Sequence, residues 1–246
     1  YLIIKNEGNM KVSAILLAGG NSKRINVSDK TTISINNLIV IEYSLYFLNK
    51  HNRIRNITVV CSDRNKLLIE KIKPKYKKLT NIVSGGDNRL NSLHNGFIKT
   101  EKNEITLIHD AARPLINDKL ISESINLAIN HGSGIPVTIQ TDSIYISNNN
   151  TLEENLKRSE IVSSQTPQAY ETKILENLFD KIDIKKVELF YNDLPSLLLE
   201  YNIIPYTFIG DKYNLKITVD EDLKIIRKII DQLWIVMLAL GLILTN

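Results

Sequence analysis

The stretch Ala18-Gly19-Gly20-Asn21-Ser22-Lys23-Arg24 directly follows an apolar run over residues 12–17, and Lys30 comes shortly after it. A strand that runs into a small-residue turn ending in fixed positive charge is what a backbone needs to wrap a nucleoside triphosphate. Glycines let main-chain N–H groups approach phosphate oxygens with no Cβ between them, and a following helix N-terminus adds the positive end of its dipole. Arg24 and Lys30 then neutralise the remaining phosphate charge. Taken alone, Gly-Gly after a strand is also the mark of an ordinary tight turn. The pattern matches neither Gly-x-x-x-x-Gly-Lys-Ser/Thr nor Gly-x-Gly-x-x-Gly, which argues against a Walker-type NTPase and a dinucleotide oxidoreductase.

A second group, His109-Asp110-Ala111-Ala112-Arg113-Pro114, closes another apolar run. A carboxylate at a strand end, on a rim where phosphates lie, suits Mg²⁺ or another divalent cation, which takes a few carboxylate oxygens together with phosphate and water. Asp110 and Arg113 also read as a local ion pair or helix cap. With four histidines and no His-x-x-x-His spacing, His109 reads as structural and the pattern argues against a zinc site. The one cysteine, Cys61, rules out an internal disulfide and every cysteine-rich metal site, and in a strand-like run it reads as a buried, inert thiol.

The elements that must position these groups follow from the patterning. Apolar runs of four to six residues alternate with helical periodicity, the sequence form of a mostly parallel, twisted sheet with crossover helices on both faces. Strands are expected at residues 13–17, 57–61, 81–84, 105–109, 134–137 and 206–209. Helices are expected at 40–50, 66–72, 89–97, 118–131, 171–183, 195–201 and 221–230. Ligands of such sheets sit beyond the carboxyl ends of the strands, which places Ala18 to Arg24, Gly85-Gly86-Asp87 and Asp110 on one rim. From about 138 to 165 the pattern changes: short alternating stretches at 143–147 and 158–163 flank the polar tip Asn148-Asn149-Asn150 and read as an inserted β-hairpin arm, a lid or a grip on another subunit.

The 246 residues are 43% hydrophobic, enough for one α/β domain over about 10–230. The net charge of +4 arises from 31 basic and 27 acidic residues spread along the chain, which suits a phosphorylated small substrate and does not call for nucleic acid. The opening Tyr1-Leu2-Ile3-Ile4 is too short for a secretory signal, and Met10 just ahead of the first strand marks residues 1–9 as an extension. A cytoplasmic protein is expected, or one of a plastid-like stroma in a eukaryote. The apolar tail within 231–246 falls short of the roughly 20 residues that span a bilayer and reads as a packed helix or an interface, not a membrane contact.

Five ordered segments together resemble the methylerythritol phosphate cytidylyltransferases, the CDP-methylerythritol synthases of the non-mevalonate isoprenoid pathway. They are Leu17-Ala18-Gly19-Gly20 with Arg24 and Lys30; Gly85-Gly86-Asp87 with Arg89 and Ser92; the Asp110 segment; Gln165-Thr166-Pro167-Gln168; and Asn214-Leu215-Lys216-Ile217-Thr218. The resemblance covers about residues 12–230. The sister ribitol phosphate cytidylyltransferases share most of these motifs, and a nucleotide-binding copy without turnover is the alternative of another class.

The resemblance implies a Rossmann-like nucleotidyltransferase fold and a homodimer that exchanges its hairpin arms. It implies that Ala18, Gly19, Gly20, Gly86, Asp87 and Ser92 bind the cytidine end of CTP. Arg24 and Lys30 would hold the triphosphate, Lys216 the α-phosphate with Arg113 nearby, and Asp110 the Mg²⁺. Asp142, Ser143 and a partner's Arg158 would face a polyol phosphate. The chain departs from the family at Ser22, Asp29, Thr31, Ser143 and Tyr145. Asp29 is the sharpest departure, since a carboxylate beside a triphosphate opposes binding unless it points to solvent.

Overall fold

The computed structural model describes residues 10–19, 29–184 and 193–239, and side chains as far as residue 232. Residues 1–9, 20–28, 185–192 and 240–246, with the expectations placed on them, lie outside the described residues. In chain order the elements are β1 (Val12–Ala18), β2 (Ser34–Ile35), β3 (Leu38–Ile39), α1 (Val40–Lys50), β4 (Ile54–Cys61), α2 (Asp63–Ile72), β5 (Leu79–Ser84), α3 (Arg89–Lys99), β6 (Ile105–Asp110) and α4 (Asp118–His131). They continue with β7 (Ser133–Ile139), β8 (Ile144–Asn148), β9 (Thr151–Leu156), β10 (Val162–Ser164), β11 (Gln168–Glu171), α5 (Thr172–Lys181), α6 (Leu194–Glu200), β12 (Thr207–Ile209) and α7 (Asp220–Ala239).

The main sheet runs β10-β7-β11-β6-β1-β4-β5, with β12 also paired to β7. Strands β6, β1, β4 and β5 are mutually parallel, while β11 enters antiparallel to β6. From β1 the chain builds outward through β4 and β5, then returns to add β6 on the other side. The switch point of this sheet therefore lies between β1 and β6, where Leu17 is in register with Asp110.

Side-chain alternation on β1 divides the core. Ala14, Leu16 and Ala18 face Ile41 and Leu45 of α1 and Ile121 and Ile125 of α4, whereas Ile15 and Leu17 face Leu90, Leu93 and Phe97 of α3 and Leu197 of α6. Each large aliphatic buried here contributes roughly 1.5–3 kcal/mol, so both layers hold the β1 and β6 ends rigidly. A third, smaller cluster sets Ile226 and Ile230 of α7 on Ile35, Val40 and Ile217, which docks the last helix against the β2–β3 hairpin. That hairpin turns through Asn36 and Asn37 at φ 46° and 65°, a left-handed pair that asparagine tolerates.

The arm differs from the sequence expectation. Its first strand is β8, but its second is β9, joined through Asn149 and Asn150 at φ 46° and 66°. The stretch at 158–163 is not the second strand: Arg158–Glu160 form a 3₁₀ turn and β10 runs antiparallel along β7 at the sheet edge. Alternation in β10 reflects the edge of the main sheet, while β9 carries Glu153, Glu154 and Asn155 exposed and has no apolar period to read. Helix α7 takes in the first residues of the apolar tail, to Ala239. Among the described residues, no helix is long and apolar enough to cross a membrane.

Candidate active site

The rim at the carboxyl ends of β1, β4, β5 and β6 is built by the ladder itself. Ala18 pairs with Cys61 and Cys61 with Ser84, so the turns after three strands start side by side. The Gly85 N–H donates to the Cys61 carbonyl at 2.9 Å and the Ala111 N–H to the Leu17 carbonyl at 2.9 Å. Cys61 is buried and burial pushes its thiol up to about 11, which disfavours the reactive thiolate.

After β5, Gly85-Gly86 lies on the first turn of α3. A Cβ on Gly86 would sit 2.6 Å from the Asn91 Cβ, so no other residue lets the two backbones approach this closely. The Gly86 N–H donates to Ser92 Oγ at 3.0 Å, and Asn88 caps α3 by accepting from the Asn91 N–H at 2.8 Å. Gly86 and Ser92 are thus tied to one another across the turn that carries Asp87.

Asp110 closes β6 at 7% exposure. Arg89 grips its Oδ1 with Nε at 3.2 Å and Nη2 at 3.0 Å, and Lys216 Nζ meets its Oδ2 at 2.7 Å. Burial alone would raise the Asp110 pKa, but Arg89, then Lys216, outweigh it and hold the carboxyl well below the usual range. Arg113 does not form the local ion pair with Asp110. Its guanidinium donates to the Asn214 carbonyl at 2.8 Å and, more weakly, to the Ser164 carbonyl at 3.5 Å, while its Nε is buried without a partner.

His109 is fully buried and fixed from both sides. The Arg113 carbonyl can only accept, so Nε2 carries the proton across their 3.1 Å contact; Nδ1 then accepts from the Thr166 hydroxyl at 3.0 Å. That same hydroxyl accepts the Asp110 N–H at 3.0 Å, so a run of hydrogen bonds ties the turn to β6. Burial pushes the His109 pKa down to about 4, and the ring stays neutral. The structural role expected of it is borne out.

Asp29 does not point to solvent. At 3% exposure its Oδ1 accepts from the Thr31 N–H at 2.9 Å and the Thr31 hydroxyl at 2.7 Å, and its Oδ2 accepts from the Asn65 amide. It caps the 3₁₀ turn Lys30–Thr32. Asp222, at the start of α7, accepts from the N–H groups of Thr218 and Val219 at 2.7 and 2.9 Å, fixing the segment that follows Lys216. The positive charge of Lys30 reaches Asp222 and helps lower its pKa, so the Lys30 and Lys216 segments are neighbours.

The structure therefore brings together Ala18, Gly19, Gly86, Asp87, Ser92, Asp110, Arg113, Lys30 and Lys216 around one rim. Gly20 and Arg24 lie outside the described residues. Asp142 and Ser143 are exposed at the base of the hairpin, and no hydrogen bond or ion pair joins them to Asp110. Arg158 donates to the Thr141 carbonyl of its own chain. Sequence reading missed Arg89 as the main partner of Asp110, Thr166 as its link to His109, and Asn65. Among the described residues there is no group of three His, Cys, Asp or Glu side chains that could hold a metal ion alone. Asp110 fits one only as a single carboxylate ligand beside phosphates and water, the manner in which Mg²⁺ is usually held. A cavity of about 480 Å³ lies at the opposite end of the sheet between Lys11, Lys102, Glu104 and Thr172, away from these groups.

The family model for 2-C-methyl-D-erythritol 4-phosphate cytidylyltransferase (IspD) matches residues 12–232. A protein of that name from Clostridium beijerinckii is 34% identical over 216 residues, 86% of this chain and 95% of the other. One from Clostridium botulinum (strain Loch Maree / Type A3) is 32% identical over 228 residues, 91% and 99% of the two chains. Among solved structures, the 4-diphosphocytidyl-2C-methyl-D-erythritol synthase of Anaerococcus prevotii superposes with a TM-score of 0.79 at 22% identity, covering 90% of this chain and 99% of that one. The 2-C-methyl-D-erythritol 4-phosphate cytidylyltransferase of Thermus thermophilus does so with 0.74 at 20%, covering 89% and 98%. At those identities the solved structures speak for the fold.

Proposed function

The chain belongs to the 2-C-methyl-D-erythritol 4-phosphate cytidylyltransferase family, and from that premise we propose how its own residues carry out the transfer. The enzyme moves the cytidylyl group of CTP to 2-C-methyl-D-erythritol 4-phosphate, giving CDP-methylerythritol and pyrophosphate. The family and the relatives above carry the methylerythritol name, which favours this acceptor over ribitol 5-phosphate.

One observation carries the mechanism: Arg89 and Lys216 converge on the ionised Asp110 at the switch point of the sheet, beside the carboxyl end of β1. The acceptor phosphate has a second pKa of about 6 and is largely a dianion at neutral pH, so no general base is needed. A neutral, doubly bonded His109 agrees with that. An oxygen of the acceptor phosphate attacks the α-phosphorus, the bond from that phosphorus to the β-bridging oxygen breaks, and pyrophosphate leaves with the electron pair.

Lys216 is the cation that reaches the α-phosphate, moving from Asp110 to the phosphoryl oxygens as negative charge builds there. Lys30 and Arg24 hold the β- and γ-phosphates. Arg113 contributes its unpartnered Nε to the same field. Ala18, Gly19, Gly20, Gly86, Asp87 and Ser92 seat the base, the close backbone approach at Gly86 leaving room for a pyrimidine. Asp110 would hold Mg²⁺ together with the triphosphate; when bound, the ion neutralises phosphate charge and aligns the leaving group. Asp142, Ser143 and Arg158 of a partner subunit meet the acceptor through the hairpin arm. Bacterial relatives and CTP as substrate support action in the cytoplasm.

Pyrophosphate release decides the reading. Turnover is expected with CTP and 2-C-methyl-D-erythritol 4-phosphate in Mg²⁺, with loss on chelation and far weaker turnover with ribitol 5-phosphate or ATP. No release with either polyol phosphate would leave a nucleotide-binding protein without catalysis.

A further inference from the structure

The first turn of α2 touches both loops of the nucleotide site. Asp63 accepts from the Ser84 hydroxyl, immediately before Gly85-Gly86. Asn65, at 7% exposure, donates its amide to Oδ2 of Asp29, immediately before Lys30. Asp29 in turn holds the N–H and hydroxyl of Thr31 through Oδ1, and its carbonyl accepts from the Thr32 hydroxyl at 2.9 Å. Among the described residues, the hydrogen bonds of the Asp29 carboxylate thus go to the turn that carries Lys30 and to α2. Asn65 itself is fixed, its N–H donating to the Ser62 carbonyl at 3.0 Å at the end of β4.

A lysine has a long, mobile stem, and its contribution to a phosphoryl transition state depends on where its backbone holds the first atoms of that stem. Resting on the role given to Lys30 above, we infer that Asp29 and Asn65 are positioning residues, a buried acceptor–donor latch that fixes the Lys30 turn against α2 for the transfer step. The departure at position 29 is then a working part of this chain's site. A short 3₁₀ turn has weak bonds of its own, and here two side-chain acceptor contacts to Thr31 and one cross-link to a rigid helix replace them.

Asn65→Asp sets two carboxylates face to face across the latch. Its kcat is expected to fall on the order of tenfold or more at a temperature well below its melting point, with KM for the polyol phosphate little changed. Adding Asp29→Asn reverses the polarity: the amide at position 29 donates to the carboxylate at position 65 while its oxygen still accepts from Thr31. The double variant should recover kcat to within about threefold of the wild type, a rescue that simple destabilisation does not predict. In a Lys30→Ala background, Asn65→Asp should cause no further fall.

An unimpaired, folded Asn65→Asp beside a slow Lys30→Ala would overturn the latch alone. The same fold-loss from Asn65→Asp with and without Lys30 would overturn it too. Wild-type turnover in Lys30→Ala would remove the role of Lys30, and the inference with it. Should Asn65→Asp not fold, Asn65→Ala removes the donor without adding charge and goes through the same comparison in the presence and absence of Lys30.

Discussion

Lys216 Nζ lies 2.7 Å from Asp110 Oδ2 although 106 residues separate the two, while Arg89 closes on the other oxygen. The carboxylate is thus held between two cations in a nearly buried place, where leaving either side unpaired is costly. Lys216 is the more exposed partner and the one free to turn toward phosphate, whereas Arg89 is the fixed anchor.

Asp110→Asn is therefore expected to remove most activity together with the dependence on millimolar Mg²⁺, since a neutral amide is a poor ligand for a hard cation. If Asp110 serves only Arg89 and Lys216, the variant melts earlier and its residual activity keeps an unchanged Mg²⁺ titration. Initial rates across a Mg²⁺ series, set beside melting curves, separate the two.

Lys30→Ala and Lys216→Ala should each lower kcat far more than they lower the melting temperature. The loss expected is on the order of 3 kcal/mol of transition-state stabilisation for each, because both would act where charge develops. For Lys216→Ala some destabilisation accompanies this, as Asp110 loses one cation. A near-normal kcat in either variant would remove that lysine from the mechanism.

His109 gives a pH signature. Its folded pKa of about 4 lies below the unfolded value of 6.5, so the unfolded chain binds more protons between those limits. Stability is complete above about pH 6.5 and falls as the pH drops toward 4, by roughly 2 to 3 kcal/mol from this group. The lowered pKa values of His51 and His94 add in the same direction, and loss of the Asp110 charge follows only at lower pH. His109→Gln should start less stable at pH 7 and lose less between 6.5 and 4. Urea midpoints over that range give the comparison, and an unchanged slope would mean that His109 is not the group responsible.

Much of this arrangement is legible in the sequence because the sheet writes itself in apolar runs and the glycine turns mark their ends. Helices α1 and α4 fall at 40–50 and 118–131 as their periodicity predicts. What stays hidden follows from the same physics. Helix α2 begins with Asp63-Arg64-Asn65, polar residues with no apolar period, so its start is read three residues late and the Asn65 contact is missed. Strands β2 and β3 have two residues each, too few to show alternation. Strand β9 is solvated on both faces. Asp110 and Lys216 stand out in their motifs, but that Arg89 and not Arg113 pairs with Asp110 depends on how α3 packs over β1 and β4, and no spacing encodes it.

The hairpin β8–β9 carries Tyr145, Ile146 and Leu152 exposed, and beyond it Val162 on β10 is exposed as well. A two-stranded hairpin is marginal on its own, and apolar side chains on a free pair of strands normally meet a partner. We expect a homodimer in which each arm reaches the other subunit and Arg158 completes the partner's acceptor site. Its guanidinium, which donates to the Thr141 carbonyl within the chain, is then the donor that meets the acceptor phosphate. Arg158→Ala and Lys30→Ala should each be slow alone. Mixed under conditions where subunits exchange, they should recover a fraction of wild-type turnover, because one pocket in each mixed dimer receives both native residues. If mass measurements show the mixed dimer and the rate stays at the sum of the two variants, Arg158 acts within its own subunit and the shared site is wrong.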